Sequence, residues 1–107
     1  MTQSKINQSL RLLDQSYKIE INKIKLNSDS AHEKLKKKIA ESLIKKGKSI
    51  ITEAIFKSIN GKFGRADIFN LSDCEIIEIL DTESTERFNK KKSYYPKVKI
   101  IKINVVK

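Results

Sequence analysis

The sequence predicts a small α/β domain: helices first, then a three-stranded antiparallel meander, then a further helix and one last strand. Three observations carry that expectation. Apolar residues recur at helical spacing through residues 6–44, three short runs rich in Ile or Phe follow with turn residues between them, and a final apolar run comes after the lone proline, Pro96. With 107 residues the chain can bury one core but not two. Two segments are expected within it: 1–30, an N-terminal helix and hinge, and 31–107, the α/β domain proper.

In residues 4–26, Ile6, Leu10, Leu13, Tyr17 and Ile24 stand four, three, four and seven apart, with Glu20 at the skipped seam position. Such a helical seam can zip to a second copy, giving a homodimer through the N-terminal helix, or lie on its own domain. Asn27-Ser28-Asp29-Ser30 is a polar break, read as a hinge whose Ser and Asp side chains can cap the next helix. That helix is expected over residues 31–46, stopping at Gly47, because glycine enters the left-handed C-terminal position without steric cost. At about 100° per residue its apolar arc holds Leu35, Ile39, Ala40, Leu43 and Ile44. His32 and Lys36 fall inside the same arc, an odd place for polar groups, while Lys34, Lys37, Lys38 and Lys45 lie opposite.

Strands are expected over 49–57, 65–71 and 75–80, separated by turns at Asn60-Gly61-Lys62 and Ser72-Asp73. The polar segment 82–94 reads as a third helix closed by Pro96, and residues 98–106 are apolar enough for a strand buried on both faces.

The formal net charge is +10 and the pI near 9.7. That balance points to nucleic acid first, DNA ahead of RNA, and to an anionic membrane surface second. No apolar run approaches the roughly 20 residues that span a bilayer, and Met1-Thr2-Gln3-Ser4-Lys5 lacks the apolar stretch of a signal peptide, so no membrane partner and a cytoplasmic location are expected. The single cysteine, Cys74, forbids an internal disulfide and leaves no cysteine cluster for zinc; its place at the start of an apolar strand suits a small packed residue.

The acids are islanded. From Ala66 to Glu86 there are seven carboxylates (Asp67, Asp73, Glu75, Glu78, Asp81, Glu83, Glu86) and no Lys or Arg, whereas the 23 basic residues elsewhere face only six acids. A cationic frame around an acidic centre suits a metal-dependent enzyme acting on a polyanion, and it equally suits a solvated acidic edge. Strand alternation sharpens the first reading. Ile76, Glu78 and Leu80 share one face of their strand, so Glu78 is flanked by apolar residues and needs a cation or donors. Asp67 is its expected neighbour across the ladder, and two oxygen ligands on adjacent strands suit Mg²⁺ or Mn²⁺. Arg65 simply pairing with one of these acids is the competing expectation. Glu53, expected on a strand face with Ile51 and Ile55, needs a partner too, and a third acidic ligand is one explanation.

Gly64-Arg65-Ala66-Asp67-Ile68-Phe69, then Ile76-Ile77-Glu78-Ile79-Leu80, then a helix ending Tyr94-Tyr95-Pro96 before an apolar strand, resembles the PD-(D/E)XK nuclease superfamily. The helix opening His32-Glu33-Lys34-Leu35-Lys36 and the strand with Glu53 look like its small archaeal, viral and competence-associated branches. The resemblance spans residues 31–106. It implies a restriction-endonuclease-like core of order α-βββ-α-β, and a Mg²⁺- or Mn²⁺-dependent endonuclease that hydrolyses phosphodiester bonds, with DNA as the expected substrate; small size and a dimer would fit either a structure-selective enzyme or one that cuts the two strands with two subunits. Carried over residue by residue, Asp67 matches the first metal-binding aspartate and Glu78 the acid of the Glu-x-Lys pair, with Glu53 as a further ligand. The lysine position of that pair is Leu80. Relatives similar in lacking that lysine supply the cation from a nearby helix or replace it with a neutral side chain; the candidates here are Lys36, or Lys90, Lys91 or Lys92 on the third helix. Glu33 matches the helical glutamate of many relatives, and His32 is placed to position water or metal.

Two other functions remain open from sequence: a nuclease fold that binds DNA or RNA without cutting it, and a basic adaptor that joins protein partners through the first helix. Gly61 and Gly64 are wrongly placed for a phosphate-binding loop, and nothing sets a nucleophile beside the single histidine.

Overall fold

The computed structural model describes residues 2–80, 89–90 and 92–105. Its elements are α1 (Thr2–Leu10), α2 (Ala31–Lys45), β1 (Ile50–Ile55), β2 (Arg65–Asn70), β3 (Glu75–Leu80) and β4 (Lys99–Asn104). The four strands form one mixed sheet in the order β1-β2-β3-β4. The first three pair antiparallel, as the meander requires, and β4 pairs parallel with β3 over Glu75↔Lys99 to Leu80↔Asn104. A parallel neighbour needs a crossover connection, which residues 81–98 supply.

Each turn has a local cause. At the tip between β1 and β2, Ile59 and Lys62 bridge across Asn60 (φ 52°) and Gly61 (φ 77°), two positive-φ residues of the kind a twisted two-residue hairpin demands. Between β2 and β3 the Asn70 side chain accepts from the Asp73 amide and donates to the Asp73 carboxylate. Cys74 is buried there and takes a positive φ. Ser30 caps α2 by accepting from the Glu33 amide, and Gly47 at φ 82° ends it where expected.

Both faces of the sheet are covered. Against α2 lie Ile50, Ile68, Ile77 and Ile79 with Ala40, Leu35, Ile39 and Leu43. The other face buries Ile51, Ala54, Phe56, Ala66, Phe69 and Ile76 with Leu13 and Tyr95, and Ile6 and Leu10 of α1 pack onto it. No helix among the described residues is long and apolar enough to cross a membrane.

Two expectations fail here. The seam over 4–26 is not one helix: α1 stops at Leu10, where the Gln15 side chain donates to the Leu10 and Leu13 carbonyls, and Asp14 closes a turn onto Ser16. The chain then runs along the outer edge of β1. Leu13 bridges to Phe56, the Ile55 carbonyl accepts from Asp14 N, and Asn22 exchanges bonds with Ile50. Ile6, Leu10, Leu13 and Ile24 of the seam are thus spent on this chain's own core, while Tyr17 is exposed. The second correction is β4, which is an edge strand with Lys99, Lys102 and Asn104 exposed, not one buried on both faces. It is apolar because Ile100 faces one cluster while Ile101 and Ile103 face the other. The third helix expected over 82–94 falls mostly outside the described residues; of it, residues 89, 90 and 92 are helical.

Candidate functional site

Where β1 and β2 approach the first turn of α2, the pleat reverses. Ile51 and Phe69 face the core opposite α2, so alternation would send Glu53 and Asp67 into that core as well. Instead Ala54 and Ala66 belong to it. The register is unchanged across the reversal, with Thr52↔Ile68 on one side and Ala54↔Ala66 on the other, so Glu53 and Asp67 stand opposite each other. Glu53 takes φ 55° to achieve this, a conformation costing an ordinary residue on the order of 1–3 kcal/mol. The result turns both carboxylates toward α2, and Glu53 does not share a face with Ile51 as alternation predicts.

The side chains there form one connected network. Lys36, fully buried at 0% exposure, places Nζ 2.7 Å from Glu53 Oε1 and 2.8 Å from Glu33 Oε1. Asn27 contributes twice, its amide donating to Glu33 Oε1 at 2.9 Å and its Nδ2 to Glu53 Oε1 at 2.7 Å. His32 stands between two carboxylates, Nδ1 2.7 Å from Glu33 Oε2 and Nε2 3.4 Å from Asp67 Oδ2. Asp67 Oδ2 also accepts from the Ile79 amide at 2.9 Å, entering the ladder between β2 and β3. Its Oδ1 has no protein partner among the described residues. Arg65, largely exposed, lies 3.5 Å through Nε from Glu53 Oε2, so it pairs with neither Asp67 nor Glu78, the two acids expected for it, but with Glu53.

The electrostatics follow from burial and pairing. Burial pushes the Glu33 carboxyl up, but the hydrogen bonds from Lys36, the Asn27 amide and His32 outweigh it and hold the group at about 2. For Lys36, burial works against the ammonium, and the bonds to Glu33 and Glu53 more than reverse it, so its pKa lies above the usual lysine value.

Asn27, His32, Glu33, Glu53, Arg65 and Asp67 line a pocket of about 350 Å³ together with Phe63, Gly64, Tyr94 and Tyr95, while Lys36 lies behind that lining. Gly64 is there because nothing larger fits: a Cβ would lie 2.5 Å from Tyr95 Cδ1 and 2.6 Å from the Tyr94 carbonyl oxygen. The buried Tyr95 hydroxyl in turn lies between two acceptors, the Arg65 carbonyl at 2.8 Å and Glu78 Oε1.

That contact overturns the expected pairing of Asp67 with Glu78. Glu78 is 1% exposed and follows Ile76 onto the face away from α2, with Lys102 as its register partner on β4. It does not line the pocket. Asp67 instead turns toward α2, so the facing carboxylate is Glu53. Among the described residues no three His, Cys, Asp or Glu side chains stand as a ready cage for an ion. Lys36 bridges Glu33 to Glu53, and His32 lies between Glu33 and Asp67.

The other candidates disperse. Lys90 and Lys92 are exposed on the short helical stretch, and Lys91 lies outside the described residues. The acidic run is not one site: Asp73 pairs with Lys48 at 3.1 Å and Glu75 with Lys99 at 3.4 Å, while Asp81, Glu83 and Glu86 lie outside the described residues. Sequence reasoning misses Asn27, which it reads as hinge, and Tyr95, which it uses only to end a helix. Neither carries a local signal for its long-range contact. Comparison of the chain with protein-family models, with curated proteins and with solved structures finds no match in any of the three.

Proposed function

We propose that the protein is a divalent-metal-dependent nuclease of the PD-(D/E)XK type, acting on DNA, with Asp67, Glu53 and Glu33 as its metal-binding set and Lys36 as the cation that positions two of them. The observation that carries this reading is the position of Lys36. A lysine wholly withdrawn from water costs several kcal/mol unless it is paired, and a core built for stability alone would hold a leucine there. Its ammonium bridges Glu33 of α2 and Glu53 of β1, where it supplies a positive charge of the kind that Leu80 lacks. In support, the described elements include a helix, a three-stranded antiparallel meander and a last strand in the same sheet.

Three carboxylates from α2, β1 and β2, the oxygen donors that Mg²⁺ or Mn²⁺ takes, line one pocket; Asp67 Oδ1 has no protein partner among the described residues, and the Glu33 and Glu53 oxygens would have to exchange their present partners for the ion. When bound, such an ion supplies an activated water and neutralises phosphate charge. The chain's own groups do the rest. Arg65 and the lysines of α2 draw in the phosphate backbone, Lys36 holds Glu33 and Glu53 in position, and His32 Nε2 is placed to hold a proton beside Asp67.

The test is a Mg²⁺ and Mn²⁺ titration against plasmid, branched DNA and RNA, comparing the native chain with Asp67→Asn and Glu53→Gln. Metal-dependent cleavage that both substitutions abolish, with binding retained, supports the proposal. No cleavage of any substrate, with binding intact, sinks it in favour of a second reading: a nuclease-like fold that only binds nucleic acid. One observation favours that second reading, namely that Lys36, His32 and Asn27 already engage most of the carboxylate oxygens a metal would need. Loss of binding at about 50 mM salt, where phosphate contacts are strong, would point to the protein adaptor.

A further inference from the structure

The tip of the β1–β2 hairpin differs in chemistry from the pocket below it. Residues 56–65 hold three basic side chains, Lys57, Lys62 and Arg65, and no acid. Between them stand two exposed apolar groups, Ile59 and Phe63, the latter at 53% exposure. Phe63 lines the pocket, and so does Tyr94 across Gly64. A bare aromatic ring among cations, at the mouth of an acid-lined cavity, has no role in the core: the buried aromatics of this hairpin and its surroundings, Phe56, Phe69 and Tyr95, already pack edge to face with one another.

We infer that Phe63 is a stacking platform for an unpaired nucleobase, and that the hairpin tip, through Lys57, Lys62 and Arg65, grips the backbone of that single strand so that the strand enters the pocket beside Asp67. Aromatic rings bind bases through their faces without regard to sequence, while cations along the same groove follow the phosphates. A blunt duplex keeps its bases stacked on each other and offers the ring nothing but its ends. The inferred preference is therefore for unpaired DNA, including frayed ends and branch points, over continuous duplex. A two-residue turn, bridged by Ile59 and Lys62, closes the tip. This deepens the nuclease proposal in saying what is presented to the site, and it rests on that proposal only for the strand's destination.

The chain contains no tryptophan, so Phe63→Trp introduces a lone fluorescent reporter. The experiment is a titration in EDTA at about 50 mM salt, with an oligothymidylate and with a blunt DNA duplex as probes. Expected are quenching of the indole emission of Phe63→Trp by oligothymidylate and little by duplex, affinity for oligothymidylate held in Phe63→Trp, and an affinity about five- to one-hundred-fold weaker in Phe63→Ala and Phe63→Leu with duplex binding unchanged. Equal losses on both probes, no loss on either, or no quenching would overturn the inference. Phe63 is exposed, so a urea midpoint matching the native chain is expected of all three variants; should Phe63→Ala unfold, the quenching of Phe63→Trp decides alone. Because no metal is present, absent cleavage leaves this result standing, and absent stacking leaves cleavage of duplex untouched.

Discussion

Lys36 Nζ lies 2.7 Å from Glu53 Oε1, joining the middle of a helix to a strand residue that reaches the contact only through a positive φ. Each partner makes the other tolerable. The ammonium offsets a desolvated carboxylate held in a strained backbone, and Glu33 supplies the second negative charge at 2.8 Å.

Removing the cation alone should therefore be severe. Lys36→Met is expected to destabilise the fold by about 3–5 kcal/mol, because Glu33 and Glu53 lose the buried ammonium that they share. Adding Glu33→Gln and Glu53→Gln should recover much of that loss. Urea denaturation of the single and triple variants measures both, and a triple variant no more stable than Lys36→Met contradicts the coupling.

Stability should fall on the acid side in a defined window. Glu33 has its pKa depressed from 4.5 to about 2 in the folded chain, so its contribution is present above 4.5 and lost as pH falls through about 2. Lys36 has the opposite sense: its pKa is raised above 10.5, so its contribution is complete below 10.5 and lost as pH rises through the folded value. Denaturation midpoints measured from pH 7 to pH 2 should drop less steeply in Glu33→Gln than in the native chain, since that variant has no carboxyl to protonate at this position.

The two acids that the sequence puts first should behave differently from each other. Asp67→Asn is expected to lower cleavage by roughly two orders of magnitude or more, the effect of deleting one electrostatic group from a catalytic centre. Glu78→Gln should retain cleavage and instead cost about 1–3 kcal/mol of stability, because Glu78 is buried against Tyr95 away from the pocket. Parallel assays of rate and of the urea midpoint check this; a Glu78→Gln variant that is stable but inert would restore the sequence-based pairing.

Gly64→Ala should destabilise by about 1–3 kcal/mol, since a methyl group 2.5 Å from the Tyr95 ring forces it away from Phe56 and from the Glu78 carboxylate. Thermal unfolding followed by tyrosine fluorescence reports the loss. Tyr95→Phe, which removes only the hydroxyl, should show a smaller one.

The elements are legible in sequence because each rests on a local rule. Gly47 ends α2, Asn60 and Gly61 make the hairpin, and the inward place of Lys36 on the helical arc marks a polar group out of place before any partner is known. What fails depends on contacts between distant segments. The spacing of Ile6, Leu10 and Leu13 looks the same whether a helix continues or the chain turns to bridge Phe56. Alternation puts Glu53 and Asp67 on the wrong face because it assumes a regular pleat, and a positive φ at a glutamate has no signature in composition. Glu78 reads as a ligand because its burial is visible in the strand pattern, whereas its partner, Tyr95, is 17 residues away.

The N-terminal segment that lies along β1 has a final consequence. By engaging Ile50, Ile55 and Phe56 it closes one margin of the sheet, and among the described strands only β4 keeps an outer row of amides and carbonyls unclaimed by another strand. A polymer grown by strand addition needs two open margins per molecule, and this sheet offers one. Self-association by that route must close on itself as a two-fold pair, so crowded solutions of the protein are protected against fibrous growth by a stretch of chain that forms no strand of its own.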